Sequence, residues 1–254
     1  MPPAAPSRTE VTGPLATDLY DVWEPEPGRA RGLTVALIHG GYWRATYDRS
    51  YLQPLADGLA HDGFHVANLE YSRISMPRGG WPGTGDTVRE RLDAVRADEH
   101  LPDRVIVVGH SAGGHLALWL GSQGRAPWLV GAVGLAPAAD LAVLQRLRVS
   151  DDVAELLVGC APNVCPEQWA DADPAVQRLD VPAVVLVGGQ DEDLPEAVVD
   201  GWVDRRMPTE IVRVHRLAEA DHFDLVDPGH RAYLLLLAEI EELALAKGQA
   251  ADSP

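Results

Sequence analysis

One run of residues combines the chemistry and the spacing of an activated nucleophile. It is Val107-Val108-Gly109-His110-Ser111-Ala112-Gly113-Gly114-His115-Leu116-Ala117, a serine in a G-x-S-x-G pattern between an apolar stretch and an amphipathic one. A serine hydroxyl attacks a carbonyl only when a base takes its proton. It reaches a substrate only if the backbone lifts it clear of its neighbours. A sharp strand-to-helix turn does this, but it needs unusual backbone angles and little bulk nearby, which accounts for Gly109, Ala112, Gly113 and Gly114. The helix opening at Ala112 also aims its free amides at a developing oxyanion.

Three further groups complete such a site. His39-Gly40-Gly41-Tyr42-Trp43 follows an apolar run, and its glycines let the backbone amides turn toward an acyl oxygen, so Gly41, Tyr42 and Ala112 form the expected oxyanion hole. His39 and Gly40 support that loop, with His39 as its anchor rather than a base. The acid must follow the serine and precede the histidine. Gly188-Gly189-Gln190-Asp191-Glu192-Asp193 lies directly after a buried strand and offers Asp191, which is nearest the strand end, with Asp193 as the alternative and helix capping as its competing role. The base is His222 in Ala220-Asp221-His222-Phe223-Asp224, because His215 falls within the preceding strand and His230 begins the closing helix. Ser111, Asp191 and His222 are therefore the expected catalytic set, with Trp43, Trp81 and His110 as candidate walls of the substrate pocket.

These residues need a scaffold that brings strand ends together. Short apolar runs alternate with amphipathic stretches, the pattern of parallel strands joined by crossover helices. Strands are expected at Thr34–Ile38, His65–Leu69, Val105–Val108, Val130–Leu135, Ala183–Val187 and Ile211–Leu217, with helices at Ser50–His61, Asp86–Ala97, Ala112–Gly121, Pro195–Arg206 and Arg231–Lys247. Asp18–Trp23 reads as an antiparallel edge strand. The fold class is α/β, a mostly parallel central sheet with helices on both faces. Residues 13–248 form one domain, with disordered tails over 1–12 and 249–254. The stretch 138–180 is about three times longer than a bare crossover needs. It reads as a small cap inserted over the strand ends, with helices at Leu141–Leu147 and Val153–Val158 and a loop over Cys165–Trp169.

Composition excludes other classes of function. The 254 residues carry 21 Lys+Arg against 38 Asp+Glu, a formal charge of −17, which repels phosphate backbones and anionic membrane surfaces. Nucleic acid and membranes are thus not expected partners; a small molecule is, and a homo-oligomer stays open. Met1–Glu10 lacks the basic start and apolar run of a secretory signal, and no window is apolar enough for a membrane span. A soluble, cytoplasmic protein follows, and with it two free thiols at Cys160 and Cys165 in preference to the disulfide that their spacing also allows. No metal and no cofactor are expected: Gly63 breaks the helix that would align His61 with His65, the glycine runs lack a P-loop lysine, and no dinucleotide fingerprint follows a strand.

Taken together, His39-Gly40-Gly41-Tyr42-Trp43, the run from Gly109 to Leu116, and Asp221-His222-Phe223-Asp224 resemble the kynurenine formamidase (arylformamidase) branch of the α/β hydrolases, near the hormone-sensitive-lipase-like and feruloyl-esterase-like groups. The similarity runs from about Tyr20 to the closing helix. It implies the α/β-hydrolase fold, the triad Ser111, Asp191 and His222, no metal, and hydrolysis of a small carboxylic ester or an aryl formamide through an acyl-serine. The chain departs from the family in the acid loop, Asp191-Glu192-Asp193, and in the cap. A serine peptidase and a catalytically silent binding protein of the same fold are the alternatives. The first lacks a gating domain here, and the second has no need of strained glycine turns.

Overall fold

The structure is a computed structural model that describes residues 3–124 and 126–251. Among these, eight strands form one sheet: β1 (Arg8–Val11), β2 (Leu19–Trp23), β3 (Thr34–Ile38), β4 (His65–Leu69), β5 (Val105–His110), β6 (Leu129–Leu135), β7 (Ala183–Gly188) and β8 (Val212–Leu217). Their order across the sheet is β1-β2-β4-β3-β5-β6-β7-β8. The first two strands pair antiparallel, β2 on β4, and the rest run parallel. The helices are α1 (Gln53–His61), α2 (Gly83–Ala97), α3 (Ala112–Leu120), α4 (Leu141–Arg146), α5 (Val153–Val158), α6 (Pro166–Ala172), α7 (Ala197–Val203) and α8 (Arg231–Ala251). No helix among the described residues is long and apolar enough to cross a membrane.

Alternation along the central strands assigns the helices to faces, since successive side chains of a strand point to opposite sides. Ala36 and Ile38 of β3, with Val105 and Val107 of β5, join Val88 and Leu92 of α2, Leu116 of α3 and the α4–α6 segment in one core cluster. Val35 and Leu37, with Ile106 and Val108, join Leu55 and Leu59 of α1 and Leu236 and Ile240 of α8 in another. Both faces of β3 and β5 are fully buried. This is why these strands read as continuous apolar runs in the sequence.

Several expectations are corrected. The tail over 1–12 contains β1, which hydrogen-bonds outside β2, so the strand expected at the edge is internal. Its sequence, Arg8-Thr9-Glu10-Val11, carries almost no apolar signal. It is held by ladder hydrogen bonds and by Arg8, whose Nη1 lies 2.8 Å from Asp98 Oδ2. At the other end α8 runs on through 249–251; residues 1–2 and 252–254 lie outside the described residues. Helix α2 opens at Gly83, before the expected Asp86, while α7 spans only Ala197–Val203 of the expected Pro195–Arg206. The stretch expected as a loop over Cys165–Trp169 opens α6, with Pro166 in the first turn, where a missing N–H costs nothing.

Cys160 and Cys165 are joined in a disulfide with Cα atoms 6.2 Å apart, contrary to the free thiols expected. The bridge ties the end of α5 to the start of α6. A loop this short restricts the unfolded chain only modestly, so Cys160→Ser/Cys165→Ser should lower stability by about 2 kcal/mol. Chemical denaturation in the absence of reductant measures this. The cavity at Ser111 should be untouched by the change, because neither cysteine lines it.

Candidate active site

The C-terminal ends of β3, β5, β7 and β8 lie in register across the sheet, and the loops that follow them converge. At the end of β5 the chain reverses into α3 with Ser111 at φ 57° and ψ −118°. A non-glycine residue rarely holds a positive φ, and the surroundings fix this one. Ser111 N donates to Leu135 O at 2.8 Å, and Ser111 O accepts from Ala138 N at 3.0 Å and His115 N at 3.1 Å. The glycines beside it make room for the turn. A Cβ on Gly109 would lie 2.0 Å from Gly113 O, and one on Gly113 would lie 2.0 Å from Ile38 O. Both obstacles are backbone and cannot swing aside.

His222 sits in the loop after β8 and faces the same cavity as Ser111. Its Nδ1 lies 2.7 Å from Asp191 Oδ2, with both side chains buried. The other carboxylate oxygen of Asp191 accepts the amides of Asp193 and Leu194, each at 2.9 Å. Burial by itself raises the Asp191 carboxyl; the hydrogen bond and charge of His222, with the two amides, outweigh it and hold the group below the ordinary carboxylate value. Of the two acids left open by the sequence, Asp191 therefore reaches the imidazole. Asp193 is exposed and lines the cavity, where its carbonyl accepts the Tyr42 hydroxyl at 2.7 Å. Ser111 Oγ and His222 Nε2 face the same cavity without a direct hydrogen bond between them. Such bonds are often long before substrate binds and tighten in the complex.

The loop after β3 turns through Gly41 at φ 101°, Tyr42 at φ 53° and Trp43 at φ 53°. Among the described residues the amides of Gly41, Tyr42 and Ala112 donate to no protein acceptor, whereas Gly40 N donates to the Tyr51 hydroxyl at 2.6 Å. Gly40 is required where it stands, since a Cβ would meet His110 O at 2.7 Å and Ser111 Cβ at 2.8 Å. His39 is fully buried beneath this loop. Its Nδ1 donates to Gly40 O at 2.9 Å, its Nε2 lies 2.9 Å from Glu70 Oε1, and its ring stacks on Tyr71 at 4.4 Å. Glu70 also accepts from Arg73 Nη1 at 2.5 Å. Burial raises the Glu70 carboxyl, but His39 and Arg73 together bring it below the ordinary value.

Of the expected pocket walls, only His110 lines the cavity. Trp43 is wholly buried, edge-on to His115 at 5.0 Å. Trp81 is buried against Trp119 and donates to Asp171 Oδ2 at 2.7 Å. The cavity, ≈ 120 Å³, is instead walled by Tyr42, Tyr47, Tyr51 and Phe223. The 138–180 insertion contributes no residue to this lining. It packs beside α3, where His115 and Trp119 donate to the carbonyls of Ala172 and Asp171. Tyr51 and Tyr47 carry no signal in the sequence beyond being aromatic. Glu70 was findable as the buried acid immediately after β4.

Among the described residues one group could offer a cation three ligand atoms within 4.8 Å, namely Asp191, Asp193 and His222. The Nδ1 of His222 and Oδ2 of Asp191 already satisfy each other, which removes two of the three donors. The set fits an oriented imidazole better than a metal.

The whole chain resembles solved esterases. An esterase B from Lactobacillus rhamnosis, determined with a tributyrin phosphonate inhibitor, superposes with a TM-score of 0.75 at 16% identity, covering 100% of this chain and 92% of that one. A thermophilic esterase from Thermogutta terrifontis with propionate bound gives a TM-score of 0.73 at 17% identity, over 95% and 94% of the two chains. Likeness at this identity establishes the fold, which is that of the α/β hydrolases. No curated protein matches the chain. The family model BD-FAE matches residues 20–198, the greater part of the sequence and the span that carries Ser111, Asp191 and the glycine loop, and the chain belongs to the BD-FAE family.

Proposed function

We propose that this protein is a metal-independent serine hydrolase that cleaves small carboxylic esters through an acyl-serine. The observation that carries this reading is Ser111, held at φ 57° at the mouth of a strand-to-helix turn, sharing a cavity with His222 whose Nδ1 is fixed by Asp191 at 2.7 Å. His222 Nε2 takes the Ser111 proton as Oγ attacks the ester carbonyl, and Asp191 stabilises the imidazolium. The amides of Gly41, Tyr42 and Ala112, with no protein acceptor of their own, receive the oxyanion. His222 then returns the proton to the leaving alcohol. A water, deprotonated by the same imidazole, attacks the acyl-serine and frees the acid.

The small cavity at Ser111, ≈ 120 Å³, favours short acyl groups. Its aromatic walls, Tyr42, Tyr47, Tyr51 and Phe223, are what lend weight to an aryl formamide as the second substrate class, the finer assignment suggested by the kynurenine formamidase resemblance. Glu192, Asp193 and Asp221 stand at the rim next to His222 and disfavour anionic substrates. A cytoplasmic location belongs to this proposal as well.

Purified protein should hydrolyse p-nitrophenyl acetate with loss of rate as the acyl chain lengthens. Comparing kcat/KM for N-formylkynurenine with that for short esters separates the two classes. A value of about 10⁴ M⁻¹s⁻¹ or more on the formamide alone would assign it, and a strong rate confined to esters would remove the formamide reading.

A further inference from the structure

Resting on the reading of Ser111 as nucleophile and His222 as base, we propose that Tyr51 and His110 are positioning residues that tie the oxyanion loop to the backbone of the base loop through one directed hydrogen-bond chain.

The chain has three links. Gly40 N donates to Tyr51 Oη at 2.6 Å, Tyr51 Oη lies 2.9 Å from His110 Nδ1, and His110 Nε2 lies 2.9 Å from the carbonyl oxygen of His222. Its proton positions follow from chemistry. A carbonyl oxygen only accepts, so His110 Nε2 carries the hydrogen. Burial, and next the charge of His222, push the His110 pKa down to about 3 and keep the ring neutral. In a neutral ring with Nε2–H, Nδ1 must accept. Tyr51 is therefore the donor to it, and the Tyr51 oxygen is left to receive Gly40 N–H. No member has a second choice of partner within the chain.

The links cross three loops that are distant in sequence. Gly40 immediately precedes Gly41 and Tyr42, His110 immediately precedes Ser111, and the last acceptor is the main chain of His222 itself. Asp191 orients the His222 ring, while His110 fixes the backbone that carries it. The His110 ring also packs at 4.5 Å from the His222 ring, and Phe223 touches both, at 5.6 Å from His110 and 5.3 Å from His222. A base held by its ring alone could swing about its own backbone. A base held at both ends has less freedom to drift from Ser111 in the cavity they share, where small misplacements are costly to rate.

Tyr51→Phe removes one oxygen and leaves Gly40 N–H and His110 Nδ1 without partners. We expect kcat on p-nitrophenyl acetate to fall 10-fold or more with KM within about twofold of wild type, in a protein that melts within a few degrees of it. At position 110, Gln offers a carbonyl acceptor and an amide donor in place of the two ring nitrogens, whereas Met offers neither. His110→Gln should recover most of the kcat lost in His110→Met. A Tyr51→Phe variant within twofold of wild-type kcat, or a His110→Gln variant as impaired as His110→Met at equal thermal stability, overturns the proposal. Histidine-selective ¹⁵N NMR of the wild type supplies a readout independent of turnover: His110 should be the neutral Nε2–H tautomer between pH 6 and pH 8. An Nδ1–H or doubly protonated ring there would refute the chain. A protein with no esterase activity but with this tautomer would remove the esterase reading and leave the hydrogen-bond chain in place.

Discussion

Ser111→Ala should abolish p-nitrophenyl acetate hydrolysis, with a fall of at least about 10³-fold in kcat, while leaving the melting temperature close to that of the wild type. Removing the nucleophile of a serine hydrolase leaves only the rate supplied by binding and the oxyanion hole. The fold survives because Ser111 uses its backbone, not its hydroxyl, to hold the turn: its amide and carbonyl are bonded to Leu135, Ala138 and His115. Alanine brings the same Cβ into the same positive φ, so the strain is unchanged. Labelling by a fluorophosphonate should vanish with the rate. A variant that keeps its rate would place the nucleophile elsewhere and overturn the mechanism.

The sequence made the reactive order legible because each element was tied to a local requirement. Gly109 and Gly113 stand where any side chain would strike backbone, and a histidine after the last strand has few competitors. What stayed hidden depends on distances across loops. Trp43 and Trp81 looked like pocket walls because they adjoin glycine turns, but the positive φ at Trp43 sits in a loop whose indole packs edge-on to His115 in the core. Tyr51 lies in a 3₁₀ turn before α1 and meets Gly40 and His110 only because the ends of β3 and β5 are neighbours. The edge strand β1 and the helix α6 were missed for opposite reasons. One has the shape without an apolar signal, and the other had Cys165-Pro166 read as a loop when proline suits a first turn.

The acid loop holds three carboxylates, of which the sequence favoured Asp191 for its place nearest the strand end and kept Asp193 as the alternative, and replacing these two separately should divide them sharply. Asp191→Asn is expected to lower kcat roughly 10⁴-fold, as loss of the correct imidazole tautomer does in serine hydrolases. The structure makes the direction of failure specific. Asp191 Oδ1 accepts the amides of Asp193 and Leu194, so an asparagine at this position keeps its oxygen on those two donors and turns its NH₂ toward His222. His222 Nδ1 must then accept, which places the ring proton on Nε2, facing Ser111. An imidazole with a proton on that nitrogen cannot take one from the serine. KM should change little, since Asp191 does not line the cavity. Asp193→Asn leaves the His222 contact intact and the backbone carbonyl that Tyr42 uses in place, so its kcat should remain within about twofold of wild type. Steady-state kinetics on one short ester decides the matter: equal losses in the two variants, or a nearly neutral Asp191→Asn, would show that the carboxylate 2.7 Å from His222 is not the one that serves it.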